Sequence, residues 1–575
     1  MHGGNRVAAV LAAQGVRFLF TLCGGHISPI LTGARSAGIR VVDTRHEATA
    51  VFAADAVARL TGVPGVAALT AGPGLTNAIT PIKNAQLAQS PIVVLGGATA
   101  TMLKGRGALQ DIDQMALLQP HVKLAIGVSN VRDLVPALER AFAEARSGVP
   151  GPVFVECPVD LLYPEEVVRE WYGLGGKKGG IAGWAQRVYL GRHVNRMFAD
   201  ASRTQPAPAM VEPVPAADSG VVLQIARKLK AAKRPVLIAG SQAVCEPDRV
   251  AAVAEAVDRL GVPTYLSGMA RGLLGERHSL HCRHQRRRAL KEADMVILAG
   301  VPCDFRLDYG RSIGRGATLV AANRSRHDLK LNRSPDVAVG ADPGSFLVDL
   351  ARAAPAGVEA WAEWRQKLAG RDDTREAEID TQAAVEGELV NPVALCQAIN
   401  EVLPADSVVV ADGGDFVGTA SYIVRPRSPL SWLDPGVFGT LGVGAGFALG
   451  AKLCRPDAEV WAIFGDGSVG YGLSEFDTFI RHELPIIAVV GNDACWSQIA
   501  REQVKLLEDD TAVMLGRTDY HRVVAGFGAG GLIIEDRDSV KDVLRQGRDI
   551  ANGGHAVLVN ALLDRSDFRE GSISI

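Results

Sequence analysis

The sequence predicts an α/β protein with three doubly wound parallel-sheet domains. Short apolar runs alternate with segments of helical periodicity, and this pattern occurs in three blocks along the chain. The length of 575 residues also exceeds what one hydrophobic core usually serves. We place the domains at residues 1–172, 220–355 and 390–575, joined by a linker over 173–219 and a connector over 356–389.

Composition describes a globular protein with a large interior, since 47% of residues are hydrophobic and 22% are charged. The net charge of −2 gives no reason to expect nucleic-acid or membrane binding. No apolar run approaches the roughly 18 residues of a membrane span. The eight cysteines form no CxxC pair or close cluster, which favours reduced thiols in a cytoplasmic protein over disulfides or a zinc site.

In the first block, the predicted strands are 16–20, 39–42, 66–69, 92–95 and 153–155. Polar or glycine-rich loops follow the first three of them. These loops are Cys23-Gly24-Gly25-His26, Arg45-His46-Glu47 and Gly72-Pro73-Gly74-Leu75-Thr76-Asn77. Because the carboxyl ends of parallel strands meet at one edge of a sheet, the three loops are expected to open on the same side.

Three residues of this block have competing interpretations. Glu47 begins a small-residue helix, and the helix dipole alone favours an acid there. His26 either faces a ligand or caps the helix that starts near Ser28. Gln110, in the segment GALQDIDQ, belongs to a surface loop or reaches into a site.

The linker is rich in Gly, Pro and Ala, with a predicted short amphipathic helix at 187–200. The middle block has predicted strands at 235–239, 264–266, 295–299 and 318–321, and it lacks a GxGxxG dinucleotide fingerprint. Its basic run contains Arg283, Arg286, Arg287 and Arg288. This run is either a solvated helix face or a contact for the phosphates of an adenine nucleotide or coenzyme A. The charged connector is predicted to be helical.

The last block carries the strongest signal, a strand–helix–strand unit with an acidic turn after each strand. The strands are predicted at 460–464 and 486–490, and the turns contain Asp466 and Asp493, 27 residues apart. A crossover in a parallel sheet places both turns at the carboxyl ends of the strands. Gly-Asp-Gly alone is a common tight turn. Together, small residues for phosphate contacts and two hard oxygen ligands predict a metal-bridged diphosphate.

This unit resembles the signature of thiamine diphosphate-dependent enzymes, in which Gly-Asp-Gly precedes an Asn-Asn pair by a similar interval. Asp493 stands where the family usually has its second Asn. The helix that begins at Glu47 and the segment AGPGLTN at 71–77 match two further features of the family. The resemblance covers essentially the whole chain and implies pyrimidine-binding, middle and diphosphate-binding domains in that order.

The resemblance also implies roles for individual residues. Glu47 would share a proton with the aminopyrimidine ring, Leu441 would be the apolar wedge that bends the cofactor, and His26 and Gln110 would handle the substrate's hydroxyl proton. The expected catalytic residues are Glu47, His26 and Gln110, and the expected Mg²⁺ ligands are Asp466, Asp493 and Cys495. The expected cofactor-binding residues are Gly24, Gly25, Pro73, Asn77, Gly413, Gly414, Asp415, Gly439, Leu441, Gly465, Gly467, Ser468, Asp493, Cys495 and Trp496.

Within the family, the segment GNDACWSQIAREQV at 491–504 and the tail DRSDFREGSISI at 564–575 are most similar to the acetolactate-synthase-like proteins regarded as a second group of 2-hydroxyacyl-CoA lyases. This implies reversible cleavage of a 2-hydroxyacyl-CoA to formyl-CoA and an aldehyde. It also implies a homodimer or homotetramer with active sites between subunits. Whether the middle domain holds ADP, FAD or only the CoA moiety stays open. Trp496 and the tail from Asp567 would close over the site.

Two other functions stay open. An acetolactate-synthase-type carboligase acting on pyruvate would use the same cofactor. A non-catalytic nucleotide-binding protein with this fold is the alternative from another class, and the intact Glu47, Gly-Asp-Gly and Gly-Pro-Gly features argue against it. The motifs do not indicate acyl chain length, aldehyde preference or direction.

Overall fold

The computed structural model describes residues 2–174, 181–201, 204–210, 213–354 and 359–571. Within these residues the chain forms three parallel sheets flanked by helices, which confirms the predicted α/β class. Two compact units are distinguished, Met1–Ala58 with Val63–Glu212 and Arg59–Gly62 with Pro213–Ile575. The domain limits given above stay a prediction.

The first unit contains a sheet in the order β2-β1-β3-β4-β6-β5. Its strands are β1 Phe18–Thr21, β2 Arg40–Asp43, β3 Gly65–Leu69, β4 Ile92–Ala98, β5 Leu124–Gly127 and β6 Val153–Pro158. Its helices are α1 Gly3–Ala13, α2 Ser28–Ser36, α3 Glu47–Thr61, α4 Pro73–Thr76, α5 Ile79–Ala88, α6 Gln114–Leu118, α7 Leu134–Arg146, α8 Val159–Leu162, α9 Glu165–Trp171 and α10 Ile181–Phe198.

The central strands of this sheet are buried on both faces, as their continuous apolar runs predict. The sequence analysis missed β5, an edge strand whose residues are only partly buried. The linker helix α10 is longer than predicted and begins at Ile181, and part of the linker lies outside the described residues.

The middle sheet, in the second unit, has the order β11-β10-β9-β7-β8. Its strands are β7 Pro235–Ala239, β8 Thr264–Leu266, β9 Met295–Ala299, β10 Thr318–Ala322 and β11 Val337–Val339. The accompanying helices are α11 Ser219–Ala231, α12 Val250–Leu260, α13 Arg286–Glu292, α14 Pro343–Ala353 and α15 Ala362–Ala383.

Helix α15 forms in the segment predicted to be a helical connector. Its first half packs Trp364 and Leu368 into the core of the middle sheet. Its second half packs Ile379 and Ala383 into the core of the last sheet. One helix therefore contributes to two hydrophobic cores.

The arginine run before and within α13 divides into two pairs. The Arg283 side chain is 14% exposed and donates to Glu376 of α15 at 2.9 Å. Arg286 donates to the carbonyl oxygen of Arg306 at 2.7 Å. The other two arginines, Arg287 and Arg288, are 70% and 63% exposed and pair with Asp308 and Glu292. The run is therefore half solvated surface and half structural cross-link, and its engaged guanidinium groups give no support for a nucleotide phosphate site.

The last sheet has the order β13-β12-β14-β15-β17-β16. Its strands are β12 Ser407–Asp412, β13 Trp432–Leu433, β14 Glu459–Gly465, β15 Ile486–Asn492, β16 Gly530–Ile534 and β17 Val557–Leu562. Its helices are α16 Pro392–Val402, α17 Asp415–Ile423, α18 Val443–Cys454, α19 Asp466–Val469, α20 Glu475–Arg481, α21 Ser497–Leu507, α22 Tyr520–Ala525 and α23 Val540–Asn552.

The predicted crossover is present as β14, α20 and β15, with parallel pairing from Val460–Ile486 to Gly465–Gly491. The predicted Gly-Asp-Gly-Ser turn is a short helix, α19, rather than a non-helical turn, because the Ser468 hydroxyl accepts from the Gly465 amide and holds the first turn closed. None of the described helices is long and apolar enough to cross a membrane.

Candidate active site

Glu47 lies at the start of α3, after β2, and is buried. The Asn77 side-chain amide, just after α4, donates to Glu47 Oε2 at 3.0 Å. Gly74 leaves space beside the other oxygen, since a Cβ on Gly74 would lie 3.6 Å from Glu47 Oε1. The structure thus brings together the predicted residues Glu47 and Asn77, which follow different strands.

His26 lies beside the same edge of the first sheet. Its Nδ1 is 3.2 Å from the Thr70 hydroxyl, and burial lowers the pKa of the imidazole. The helix-cap interpretation finds no support, because α2 has Ile27 at its N-cap and lacks a side-chain capping bond there. A neutral imidazole next to a hydroxyl can exchange a proton with a ligand.

The other residues of this unit that are predicted to bind the cofactor lie in the loops that follow β1 and β3. Gly24 packs tightly on Thr70, where a Cβ would come within 2.5 Å of the threonine side chain. The carbonyl of Gly25 accepts from the Tyr163 hydroxyl at 3.1 Å. Pro73 opens α4 after Gly72, which has a positive φ of 64°.

Gln110 lies in the loop before α6 with a left-handed backbone, φ 63°. Its main chain packs on the glycine turn, since a Cβ on Gly72 would come 2.8 Å from the Gln110 carbonyl oxygen. The side chain that binds this turn is instead Gln114, whose Oε1 accepts from the Gly72 amide at 3.0 Å. The sequence analysis missed Gln114; the signal available was a polar residue directly after Asp113, which caps α6.

In the second unit, a cavity of about 280 Å³ opens at the carboxyl ends of β12, β14 and β15. Every residue that the sequence analysis assigned to the cofactor or metal in the last block lines it: Gly413, Gly414, Asp415, Gly439, Leu441, Gly465, Asp466, Gly467, Ser468, Asp493, Cys495 and Trp496. The spacing of these residues therefore converges on one concave site.

Asp412, at the end of β12, ties two walls of this cavity together. Its carboxylate accepts from the amides of Gly442 at 3.1 Å and Gly444 at 2.7 Å, which fixes the turn that carries Leu441. Its carbonyl oxygen accepts from the Ser468 hydroxyl at 2.5 Å. Burial raises the pKa of Asp412 to about 7, partly offset by the two amide bonds. The sequence analysis did not assign this residue to the site.

Asp466 and Asp493 are two partly shielded carboxylates at neighbouring strand ends. Burial, and then the charge of Asp493, raise the pKa of Asp466 to about 6. Burial also raises the pKa of Asp493, whose Oδ2 accepts from the Ser497 hydroxyl at 2.5 Å. The charge of Asp415 also raises the pKa of Asp493. Buried carboxylates whose charge is destabilised by acidic neighbours fit a divalent cation, which would relieve the repulsion.

Cys495 contributes its main chain to this arrangement. Its amide donates to Asp466 Oδ2 at 3.3 Å, whereas its Sγ lies 3.9 Å from Met514 Sδ. Within the part of the chain that the structure describes, no three His, Cys, Asp or Glu side chains converge as metal ligands. Metal ligation by Cys495 stays a prediction, and the atom suited to Mg²⁺ would be its carbonyl oxygen rather than its thiol.

Trp496 packs on the glycine of the acidic turn. A Cβ on Gly467 would come 2.3 Å from the Trp496 ring, so the indole lies directly on the main chain of α19. Asp415, at the start of α17, pairs with Arg501 of α21 at 2.6 Å. Arg501 also donates to the carbonyl of Ser566 in the tail at 3.4 Å. The last four residues of the predicted closing tail, 572–575, lie outside the described residues.

Family models agree with this geometry. Residues 1–117 match the N-terminal TPP-binding domain of thiamine pyrophosphate enzymes, residues 222–350 the central domain, and residues 412–561 the C-terminal TPP-binding domain. The matches include Glu47, Asn77 and the lining of the cavity described above.

Named relatives align over the whole chain. The chain is 52% identical to the 2-hydroxyacyl-CoA lyase 2 of Bos taurus, with 100% of this chain and 92% of the relative covered. It is 51% identical to the protein of the same name from Homo sapiens, with the same coverage. A probable acetolactate synthase of Mycobacterium bovis is 34% identical over 98% of this chain and 96% of its own length.

Proposed function

Because the chain belongs to the thiamine pyrophosphate enzyme family, we propose that it is a thiamine diphosphate-dependent lyase that reversibly cleaves a 2-hydroxyacyl-CoA to formyl-CoA and an aldehyde. The observation that carries the proposal is the 52% identity, over the full chain, to a 2-hydroxyacyl-CoA lyase 2. The polar groups at the strand ends of the first and last sheets supply the chemistry that such a reaction needs.

The cavity of the last sheet suits the diphosphate of the cofactor. Six glycines line it, so main-chain amides can approach phosphate oxygens without interference from side chains. Leu441, fixed by Asp412, is the apolar side chain assigned to the bend of the cofactor. When bound, thiamine diphosphate supplies a nucleophilic carbon and stores the electron pair of the broken carbon–carbon bond.

We assign Mg²⁺ to Asp466 and Asp493. Burial raises the pKa of both carboxyl groups, and the charge of Asp493 raises that of Asp466 further, which is the environment that a cation stabilises. The ion would neutralise diphosphate oxygens that otherwise face two negative side chains. Asp493 keeps an oxygen ligand where the family usually has Asn, with one additional negative charge.

Glu47 is the group assigned to hold a proton against the aminopyrimidine. Asn77 occupies Oε2 through a 3.0 Å hydrogen bond, and Gly74 keeps the space beside Oε1 open. Oε1 is therefore the atom that we assign to the ring nitrogen. Asn77 fixes the rotation of the carboxyl group, so the proton is held at a defined position.

His26 and Gln110 are proposed to act on the substrate's hydroxyl group. Burial keeps His26 neutral at pH 7, so Nε2 or Nδ1 can accept a proton, and Thr70 fixes the ring through Nδ1. Gln110 is proposed as a hydrogen-bonding partner from the loop that packs on Gly72. Trp496 and the tail, held by Arg501, are proposed to exclude water.

The proposal extends to the compartment, the subunit assembly and the ligand of the middle domain. We propose a cytoplasmic homodimer or homotetramer in which the first unit of one subunit completes the last-sheet cavity of another. We also propose that the middle domain holds ADP, FAD or only the CoA moiety, away from Arg283 and Arg286, whose guanidinium groups are engaged. Sedimentation of the holoenzyme and mass spectrometry of small molecules released on denaturation test these two points.

The reaction is tested with purified protein, thiamine diphosphate and Mg²⁺, supplied either with formyl-CoA plus an aldehyde or with pyruvate. We expect a 2-hydroxyacyl-CoA product from the first mixture. Acetolactate from pyruvate, without acyl-CoA product, would favour the carboligase function named by the 34% identical relatives. A chain that binds no thiamine diphosphate in calorimetry would favour the non-catalytic alternative.

A further inference from the structure

We propose that Gln114 is a positioning residue that fixes the glycine turn at residues 72–74 and, through this turn, Glu47. The side chain is 2% exposed and lies outside the groups expected to touch cofactor or substrate. The importance of the residue for activity rests on the proposed function, whereas its effect on the glycine turn rests on the geometry alone.

The Gln114 amide group joins three elements of the first sheet. Its Oε1 accepts from the amide of Gly72, after β3, at 3.0 Å. Its Nε2 donates to the carbonyl of Gly97 in β4 at 3.1 Å and to Glu156 Oε1 in β6 at 3.2 Å. All three partners are buried, so water could not satisfy them if the Gln114 hydrogen bonds were lost.

The orientation of this amide is determined by its partners. The Gly72 amide can only donate, whereas the Gly97 carbonyl and an ionised Glu156 can only accept. Only one of the two possible flips of the Gln114 side chain satisfies all three groups. A carboxylate at this position could accept from Gly72 but would face two acceptors on its other side.

Glu156 is itself held by a charge partner. Its second oxygen pairs with Lys104 Nζ at 2.5 Å, and the Lys104 side chain is partly exposed. The Lys104 ammonium group is the charge partner of the buried Glu156 carboxyl group. Lys104, Glu156 and Gln114 therefore form a continuous polar chain that ends on the amide of Gly72.

The glycine turn transmits this position to Glu47. Gly72 has a φ of 64° and is the N-cap of α4, so its amide fixes where the short helix begins. Asn77, just after α4, donates to Glu47 Oε2, and Gly74 lies beside Oε1. A displaced Gly72 would move both groups that define the surroundings of the Glu47 carboxylate.

The first test is Gln114→Glu, measured as kcat/KM relative to the unmodified holoenzyme at pH 8.5 and at pH 6. The groups that face the new carboxyl are Glu156 and Lys104, together with the Gly97 carbonyl. At pH 8.5 we expect a loss of about 100-fold, because an ionised carboxyl repels Glu156 and displaces the turn. At pH 6 a protonated carboxyl can donate again, and most of the relative activity should return.

The matched control is Gln119→Glu, an exposed glutamine five residues later, which should behave as the unmodified enzyme at both pH values. Gln114→Met, of similar length but without donor or acceptor, should lose activity equally at both pH values. Thermal unfolding at each pH shows whether the variants are folded. This separates unfolding of a variant from displacement of the glycine turn in a folded variant.

A second readout requires no activity. Hydrogen exchange of the segment that contains Gly72 should be faster in Gln114→Met than in the unmodified chain, whereas the segment that contains Gln119 should be unchanged. If the unmodified chain lacks lyase activity but this exchange difference appears, the proposed function fails and the positioning role stands. Unchanged exchange in Gln114→Met, or full activity of Gln114→Glu at pH 8.5, would overturn the positioning role.

Discussion

The first and the last sheet place their strands in the same spatial order. Numbered along the chain within each sheet, both read 2-1-3-4-6-5. In both, a glycine-rich turn follows the third strand: Gly72-Pro73-Gly74 after β3 and Gly465-Asp466-Gly467 after β14. The same topological position therefore carries two chemically different turns.

The turns differ in where their support comes from. The Gly465 amide donates to the Ser468 hydroxyl, three residues away in the same turn. The Gly72 amide donates to Gln114, 42 residues away, which is held by Glu156 of another strand. The Gly465 amide is therefore satisfied within its own turn, although the Ser468 hydroxyl also donates to the distant Asp412 carbonyl oxygen. The Gly72 amide is satisfied only by a side chain that is distant in sequence.

The carboxylates beside the two turns differ as well. Glu47 has a neutral amide partner, Asn77, which suits a group that holds a proton. Asp466 has Asp493 as an acidic neighbour, which suits a pair that holds a cation. We therefore propose that the same strand order serves proton transfer in the first sheet and metal and diphosphate binding in the last.

The largest effect is expected from Glu47→Gln, which removes the carboxyl group of the first sheet that is proposed to hold a proton. Lyase activity should fall by about 10³-fold, since general acid–base groups contribute on that scale. Binding of thiamine diphosphate with Mg²⁺, measured by calorimetry, should be retained because the last-sheet cavity is unchanged. Glu166→Gln, in the first turn of α9, is the matched control at an exposed helix start. Full activity of Glu47→Gln would contradict the assigned role.

Gly467→Ala tests the packing of the acidic turn. The new Cβ would lie 2.3 Å from the Trp496 ring, so the indole or α19 must move. We expect a loss of about 2 kcal/mol in the free energy of unfolding, typical of overpacking, measured by urea denaturation. Gly465→Ala is the control, because its Cβ would meet only the Ser468 hydroxyl, at 3.8 Å. In a chain that already carries Trp496→Ala, Gly467→Ala should cost little further stability. If the losses in the free energy of unfolding are instead additive, the contact between position 467 and the Trp496 ring is not the cause.

Asp412→Asn tests the buried carboxyl that joins two walls of the cavity. Its folded pKa of about 7 lies above the unfolded value of about 3.9. The contribution of Asp412 to the free energy of unfolding is therefore complete below pH 4 and is lost as the pH rises to 7. Stability of the metal-free protein should therefore fall with pH by up to about 1.4 kcal/mol per unit more than that of Asp412→Asn. Parallel pH profiles for the two proteins would show that Asp412 does not titrate in this range.

The smallest effect is expected from Asp493→Asn, which installs the usual family residue. Loss of one charge should weaken Mg²⁺ binding at pH 8 by about fivefold, or about 1 kcal/mol. It should also lower the pKa of Asp466, since the charge of Asp493 contributes to raising it. Mg²⁺ binding should then persist to lower pH than in the unmodified protein, as titration calorimetry between pH 5 and 8 can measure. Tighter binding at pH 8 would indicate that the two carboxylates do not share the ion.

These two turns also show what the sequence could and could not predict. The Gly-Asp-Gly-Ser motif is recognisable because its residues are contiguous in the sequence, and the hydrogen bonds between Gly465 and Ser468 lie within four positions. Gln114 is not, because its role depends on Gly97 and Glu156, which lie near it only after folding. The roles assigned to the site residues stay predictions, although the cavity gathers every last-block candidate.

The same distinction applies to the fold. Strands buried on both faces, such as β3 and β15, have continuous apolar sequences and were predicted. The edge strands β5 and β16 were not predicted; most of their residues are only partly buried and their sequences are correspondingly mixed. The buried strand β17 was not predicted either. The nearby sequence does not show whether Arg283 is solvated or paired, because its partner Glu376 lies 93 residues later.

Helix α15 limits how this protein can be divided. It fills the middle core with Trp364 and Leu368 and the last core with Ile379 and Ala383. A cut anywhere along it would expose apolar side chains on at least one of the two sheets. We therefore expect residues from 213 onward to unfold as one cooperative block. A chimaera that exchanges the last domain would have to carry α15, and the surface that receives it, as a single module.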